Sequence, residues 1–290
     1  MEQLQTPDLI VQERCTTGEG PLWNPIDQQL YWTDIPRGRI YRYNPATKRH
    51  HLCFQWAVVG GFTIQADGSL LLFMEHGRVQ LWRDRKFTTI VEGIPAEYDT
   101  RFNDVIADPR GRVFCGTMPG KSHPSRLYRL DTDGTMTLVL DDMGQANGMC
   151  FTPDGTKLYV TDTKAGTITR YDYDEATGDL SNPEIFARLA GEYPVMDGLT
   201  IDADGRVWSA RFGGSCVICY APDGQEVDRI DLPTSRVTSA AFGGDDLRDL
   251  YITTAGGNET TPEEDPAAGG LFRVRMDVAG RPEFRSRVQM

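Results

Sequence analysis

The sequence predicts an all-β fold, a six-bladed β-propeller with a central channel, and three observations support this prediction. One arrangement of residues returns six times, at intervals of roughly 40 to 50 residues, which is typical of propeller blades. Each copy begins with a small or polar residue and reaches a turn eight residues later. No window long enough to form a helix shows the periodicity of apolar residues that is typical of helices. These six opening positions are Glu19, Gly60, Asn103, Asn147, Asp197 and Thr238.

The strands of each repeat follow its turn. Turn-forming residues stand at Asp27, Gly68, Gly111, Gly155, Gly205 and Asp246. Apolar, β-rich runs come next, at 30–33, 70–73, 113–116, 158–161, 207–210 and 250–253. Further runs, such as 40–43, 127–130 and 217–220, supply the next strand of a repeat, and 51–54 an outer strand. Each repeat therefore provides three or four antiparallel strands.

Radial repetition explains how so many strands avoid exposed sheet edges. One segment, 9–12, precedes the first repeat and is left over. We expect it to pair into the sixth blade and close the ring, with 284–288 as the competing candidate for that role. Residues 1–290 are expected to form a single propeller domain without a linker.

Charge and composition limit the class of partner. With 30 Lys and Arg against 42 Asp and Glu, the net charge is −12, which opposes binding to nucleic acid or to an anionic membrane. A small-molecule partner is favoured, with a monomer or weak dimer in solution. The sequence has no signal-peptide pattern and no run of 18 apolar residues, so we expect a cytoplasmic protein. Its six cysteines are then expected to be reduced thiols.

If every opening residue begins the innermost strand of its blade, the six side chains surround one mouth of the channel. Two of them, Glu19 and Asp197, are carboxylates, which would repel each other in a desolvated cavity unless a cation lay between them. One divalent metal ion is the simplest solution. Oxygen donors suit Ca²⁺, Mg²⁺ or Mn²⁺, although carboxylates also accept Zn²⁺ or Fe²⁺. The alternative is that these residues only form turns, but each repeat already has its turn eight residues later.

Short motifs, weak singly but specific as an ordered set, run nearly from end to end. They are GEGP at 18–21, RFND at 101–104, GTM at 116–118, NG at 147–148, TPDG at 152–155, DG at 197–198 and AFGG at 241–244. In this set the chain resembles the SMP-30/gluconolactonase/luciferin-regenerating-enzyme family, which includes regucalcin. The resemblance implies a six-bladed propeller with one divalent metal ion in its channel.

Matched residue by residue, the resemblance places the metal ligands on Glu19, Asn147 and Asp197, and substrate contacts on Arg101 and Asn103. In some members Asn103 is close enough to reach the metal directly or through water. One departure follows the GTM motif, where regucalcin-like members carry acidic residues and this chain has Pro-Gly-Lys121. Lys121 could bind a hydroxyl or carboxylate of a different sugar acid, or be a solvated loop charge.

The activity implied is hydrolysis of an aldonolactone to the open sugar acid, as in gluconolactonases. The metal would act as a Lewis acid on the lactone carbonyl. Arg101 would orient the substrate, and Asp197 or a hydroxide on the metal would take the proton from the attacking water. The four histidines fall in no catalytic motif.

Two other functions remain open on the residues alone. A phosphotriesterase-like hydrolase could use the same metal site, and the lining by Phe62, Met118, Tyr193 and Phe212 would decide between esters and sugars. A non-catalytic propeller that binds Ca²⁺ or a partner protein is the alternative from another class. Arg101 and Asn103 favour the sugar lactone.

Overall fold

The computed structural model describes residues 6–189, 191 and 193–289. Apart from one 3-10 helix, Pro95–Glu97, the elements of this described part are strands. In chain order they are β1 (Asp8–Val11), β2 (Gly18–Asn24), β3 (Gln29–Asp34), β4 (Arg39–Asn44), β5 (Arg49–Gln55), β6 (Val59–Ile64), β7 (Leu70–Met74), β8 (Val79–Arg83), β9 (Lys86–Val91), β10 (Phe102–Ala107), β11 (Val113–Thr117), β12 (Ser125–Leu130), β13 (Met136–Met143), β14 (Ala146–Phe151), β15 (Lys157–Asp162), β16 (Thr167–Tyr173), β17 (Leu180–Arg188), β18 (Val195–Ile201), β19 (Val207–Phe212), β20 (Cys216–Tyr220), β21 (Glu226–Asp231), β22 (Val237–Gly243), β23 (Asp249–Thr254) and β24 (Leu271–Arg275).

The strands form six antiparallel sheets of four strands each. Five sheets use consecutive strands, β2 to β5, β6 to β9, β10 to β13, β14 to β17 and β18 to β21. The sixth has the order β1-β24-β23-β22. The predicted fold class, an all-β propeller of six blades, is confirmed.

The segment left over at the start of the sequence completes the sixth sheet, as predicted. Strand β1 pairs with β24, and Leu9 lies opposite Phe272. The competing candidate has another place, since Ser286 forms a parallel bridge with Gln65 of the second repeat. The Ser286 hydroxyl lies 2.7 Å from the Thr63 hydroxyl, which fastens the C-terminal segment there.

The chain divides into two compact units. The first comprises the described residues of Met1–Ala57 and Leu189–Pro282 and contains the first, fifth and sixth sheets. The second comprises those of Val58–Arg188 and Glu283–Met290 and contains the other three. The single domain expected for the whole chain stays a prediction.

No helix in the described part has the length and apolar character needed to cross a bilayer.

Each unit has cores built from the inward-facing residues of adjacent sheets. In the first unit, Trp208, Phe242 and Phe272 belong to one buried cluster, and in the second, Phe114, Phe151 and Tyr173 belong to another. The rings of Phe151 and Tyr173 meet edge to face with centroids 4.9 Å apart. All six cysteines are free thiols, as expected.

The close approach of β6 to β10 requires a glycine at position 60. A Cβ added to Gly60 would lie 1.9 Å from the carbonyl oxygen of Phe102, which is backbone and has little freedom to move. We expect Gly60→Ala to lower the free energy of unfolding by about 1–3 kcal/mol, the usual effect of overpacking. Urea unfolding measures this loss. As control, the exposed Thr88→Ala of the same sheet should change stability by less than about 0.5 kcal/mol. Equal unfolding midpoints for the two variants would contradict the prediction.

Candidate functional site

Each of the six opening positions lies near the start of an edge strand of its sheet. Position 197 is the third residue of β18, and the other five are the second residues of their strands. All six are buried, and the exposed fraction of the polar ones is 8% or less. Burial of polar side chains at equivalent places is unusual unless they serve a site or are hydrogen bonded.

A break in the strand register accompanies every opening position. Such a β-bulge kinks the strand and turns a side chain away from the regular alternation, and bulges are over-represented next to active sites. No pattern within a single strand predicts this feature. The breaks fall between Glu19 and Leu22, Val59 and Gly61, Phe102 and Val105, Ala146 and Met149, Met196 and Leu199, and Val237 and Ser239.

In the second unit, the structure brings together three of the predicted site residues. Arg101 donates through Nη1 to Asn103 Oδ1 at 2.8 Å and to the Phe102 carbonyl at 2.8 Å. Asn103 in turn donates through Nδ2 to Asn147 Oδ1 at 3.2 Å. Thr163 accepts a hydrogen bond from Asn147 Nδ2 at 3.0 Å, which fixes the orientation of that amide. Arg101, Asn103 and Asn147 therefore form one continuous hydrogen-bonded chain.

Asp104 is a further ionisable residue beside this group, and no sequence pattern assigns it a role. It lies inside the bulge of β10, next to Asn103. Desolvation raises the pKa of Asp104 to about 6, and the Arg101 guanidinium opposes the rise. An aspartate within a strand, where this residue type is depleted, is the signal that could have identified it.

In the first unit, the two predicted carboxylate ligands lie on strands that flank β22. Strand β2 carries Glu19, and β18 carries Asp197. The Thr238 hydroxyl of β22 donates to the Gly18 carbonyl at 2.6 Å, which fastens β22 to β2. On the other side, a Cβ on Gly198 would lie 2.1 Å from Ser239 Oγ, so a glycine is needed after Asp197 for β18 to pack against β22.

Glu19 and Asp197 are 4% and 8% exposed, and Glu19 Oε2 accepts the Gly20 N–H at 2.9 Å. Asn147, the third predicted ligand, is 2% exposed. Two buried carboxylates and one buried amide oxygen are hard donors, and this chemistry fits a divalent cation. No cluster of three or more His, Cys, Asp or Glu side chains occurs among residues 6–189, 191 and 193–289. The predicted ligand set does not need one, because its third member is an amide.

Lys121, the last predicted contact, lies on the segment between β11 and β12. Its side chain is exposed, whereas its backbone N–H donates to Asp99 Oδ2 at 2.9 Å. The segment begins beside Arg101, because the Met118 N–H donates to the Arg101 carbonyl at 2.9 Å. Lys121 is therefore three residues along the chain from Met118, whose backbone contacts Arg101.

Comparison with known proteins gives consistent matches over the chain. The family model described as "SMP-30/Gluconolactonase/LRE-like region" matches residues 17–256. Pentonolactonase XacC of Haloferax volcanii is 49% identical, over 97% of this chain and 98% of that protein. The 6-deoxy-6-sulfogluconolactonase of Pseudomonas putida is 34% identical, over 96% and 98%. The crystal structure of regucalcin from Agrobacterium tumefaciens, described as a calcium-binding protein, superposes with a TM-score of 0.91 at 27% identity and covers 98% of each chain.

Proposed function

Because the chain belongs to the SMP-30/gluconolactonase/LRE-like family, we propose that it is a hydrolase that opens a sugar lactone to the aldonic acid. The lactonase names of relatives that match almost the full length support this reaction class. The structural observation that carries the proposal is the chain of hydrogen bonds from Arg101 through Asn103 to Asn147. This arrangement joins the half-buried guanidinium of Arg101 to the amides of two adjacent buried openings, and such groups bind sugar hydroxyls and carbonyls.

We further propose that Glu19, Asn147 and Asp197 hold one divalent metal ion. The candidates for this ion are Ca²⁺, Zn²⁺, Mg²⁺, Mn²⁺ and Fe²⁺. The burial of all three side chains and their oxygen donors support this set. A bound divalent ion would polarise the lactone carbonyl as a Lewis acid. Asn147 is suited to the role because its Nδ2 donates a hydrogen bond to Thr163. This bond fixes the amide so that Asn147 Oδ1 points toward Asn103.

The remaining chemistry falls to side chains of the protein. Asp197 accepts the proton of the attacking water, and positioned proton transfer of this kind contributes roughly 10² to 10⁴ in rate. Arg101 and Asn103 hold the lactone, because their mutual hydrogen bond and the Phe102 carbonyl fix the guanidinium before the substrate binds. Lys121 adds a contact to a hydroxyl or carboxylate of the substrate.

A panel of five- and six-membered aldonolactones tests the function, with acid release followed at constant pH. The panel includes a phosphotriester, and every rate is compared with spontaneous hydrolysis. We expect at least one sugar lactone to be hydrolysed by the untreated protein, activity to disappear after chelation, and one or more of the five metals to restore it. Turnover of the phosphotriester alone, or of no lactone under any metal condition, would count against the proposal.

A further inference from the structure

The segment between β11 and β12 is hydrogen bonded to Thr100 and Arg101. Both backbone polar groups of Met118 are hydrogen bonded. Its N–H donates to the Arg101 carbonyl at 2.9 Å, and its carbonyl accepts a hydrogen bond from the Thr100 hydroxyl at 3.0 Å. Residues 119–124 then return to β12 at Ser125. We call residues 118–124 the Lys121 segment.

A single carboxylate fastens two points of the Lys121 segment. Asp99 accepts the Lys121 N–H on Oδ2 at 2.9 Å, and its Oδ1 lies 3.1 Å from His123 Nε2. A side chain at position 120 would have to displace the side chains that make these two contacts. A Cβ on Gly120 would lie 2.0 Å from His123 Nε2 and 2.7 Å from Asp99 Oδ1. The Pro119-Gly120-Lys121 stretch, which departs from the regucalcin-like pattern, is therefore held by Asp99.

Both ring nitrogens of His123 face oxygen acceptors. Nδ1 lies 2.8 Å from the Pro124 carbonyl, and Nε2 lies next to Asp99 as above. A neutral imidazole has one N–H and can donate to only one of them, whereas the imidazolium donates to both. The geometry thus matches the protonated ring.

Other charged groups around His123 influence the protonation of its ring, one opposing it and others favouring it. The Arg126 guanidinium approaches to 3.4 Å from Nδ1 and opposes the imidazolium. Two carboxylates offset that cation, because Arg126 donates to buried Glu97 at 2.8 Å and to Asp141 at 2.6 Å. The net negative character of this group, with Asp99, favours a charged ring.

We propose that Asp99 and His123 are positioning residues that hold the Lys121 segment beside Arg101 and thereby set the affinity for the lactone. This inference rests on the proposed function. Neither residue is assigned a contact with the reacting atoms, so both should act on KM and leave kcat nearly unchanged.

The direction of the pH dependence follows from the bonds of His123. The Pro124 carbonyl and, more weakly, Asp99 raise the pKa of His123 above its ordinary value, although desolvation opposes them. The Lys121 N–H and then His123 hold the pKa of Asp99 below its usual range. The hydrogen bonds that link His123 to Asp99 and to the Pro124 carbonyl are therefore both formed at pH values below the His123 pKa. They are weakened as the pH rises through that pKa.

The test compares KM and kcat between pH 5.5 and 9 for the wild-type enzyme, Asp99→Asn and His123→Gln, on the best lactone of the panel. We expect the wild-type KM to rise roughly 2- to 10-fold across the His123 titration, the range to which the net contribution of one hydrogen bond corresponds. His123→Gln should lack that step, Asp99→Asn should have a raised KM at low pH, and kcat should stay within about twofold. The control is His51→Gln, an exposed histidine of β5 that should keep the wild-type profile.

Exchange of the Lys121 amide, followed by NMR, gives a readout that does not need activity. Asp99→Asn should accelerate this exchange, while His51→Gln should not. A wild-type KM profile that matches that of His123→Gln, or unchanged Lys121 exchange in Asp99→Asn, would overturn the positioning role. Failure of the proposed function has a different signature, which is absence of lactone turnover by the wild-type enzyme at every pH.

Discussion

Asp197→Asn is expected to lower kcat/KM for lactone hydrolysis by roughly 10² to 10⁴, the contribution of a positioned general base. The substitution keeps the shape of the side chain and removes its negative charge. The loss should exceed that of a simple binding contact, because Asp197 serves in the proposal both as metal ligand and as proton acceptor. Steady-state kinetics on the best lactone, with metal content measured by mass spectrometry, gives both quantities.

The matched control is Asp228→Asn, which alters an exposed aspartate of β21 in the same unit. It should retain wild-type activity and metal content. Thermal unfolding of both variants establishes that each is folded. If Asp197→Asn kept its activity within about threefold of the wild-type value, Asp197 could not be the base, and the proposed assignment of the site would be wrong.

The largest effect on stability is expected from Asp108→Ala in the second unit. Asp108 is fully buried, and its carboxylate accepts four hydrogen bonds. The donors are the Arg110 N–H at 2.8 Å, the Arg112 N–H at 2.9 Å, the Tyr173 hydroxyl at 2.7 Å and the Arg112 Nε. Its removal would leave the guanidinium of Arg112, itself only 7% exposed, without its carboxylate. Breaking a buried ion pair in this way reduces the free energy of unfolding by about 3–5 kcal/mol.

Urea unfolding measures that loss, and Asp133→Ala provides the control. Asp133 also accepts a backbone N–H of its turn, from Thr135 at 2.9 Å, but it is exposed. Its substitution should lower stability much less than Asp108→Ala does, because an exposed carboxylate exchanges its hydrogen bond for one to water. The double variant Asp108→Leu, Arg112→Met should recover part of the loss, because no unpaired charge then stays buried. Similar losses for Asp108→Ala and Asp133→Ala would contradict the central role of the buried pair.

Much of the fold was predictable because its signals are local. A turn residue eight positions after each opening, followed by an apolar run, locates the first two strands of every repeat. The assignment of the first segment was harder, since both 9–12 and 284–288 could supply a last strand. The choice depended on which backbone each segment meets, β24 for Leu9 and Gln65 for Ser286.

For the candidate site, the sequence predicted where the proposed ligands lie in their strands, but it did not predict their contacts. The shared offset identified Glu19, Asn147 and Asp197 as polar residues at equivalent strand openings, and the structure places each of them there, buried. The bulges that turn these side chains were not predicted, because a register break depends on the neighbouring strand as well as on the strand itself. Asp104 and His123 were passed over because their surroundings, rather than their sequence context, give them unusual properties.

The sequence by itself determined the repeat, the strands and the polar character of the openings, because periodicity and turn chemistry are properties of residues adjacent in the chain. Only the tertiary structure decided which of these polar groups bond to each other. Asn103 meets Asn147 across 44 positions of sequence, and Asp99 meets the Lys121 backbone across 22. No local pattern encodes such pairs, since they form only after separate strands pack and leave buried donors and acceptors that must be satisfied.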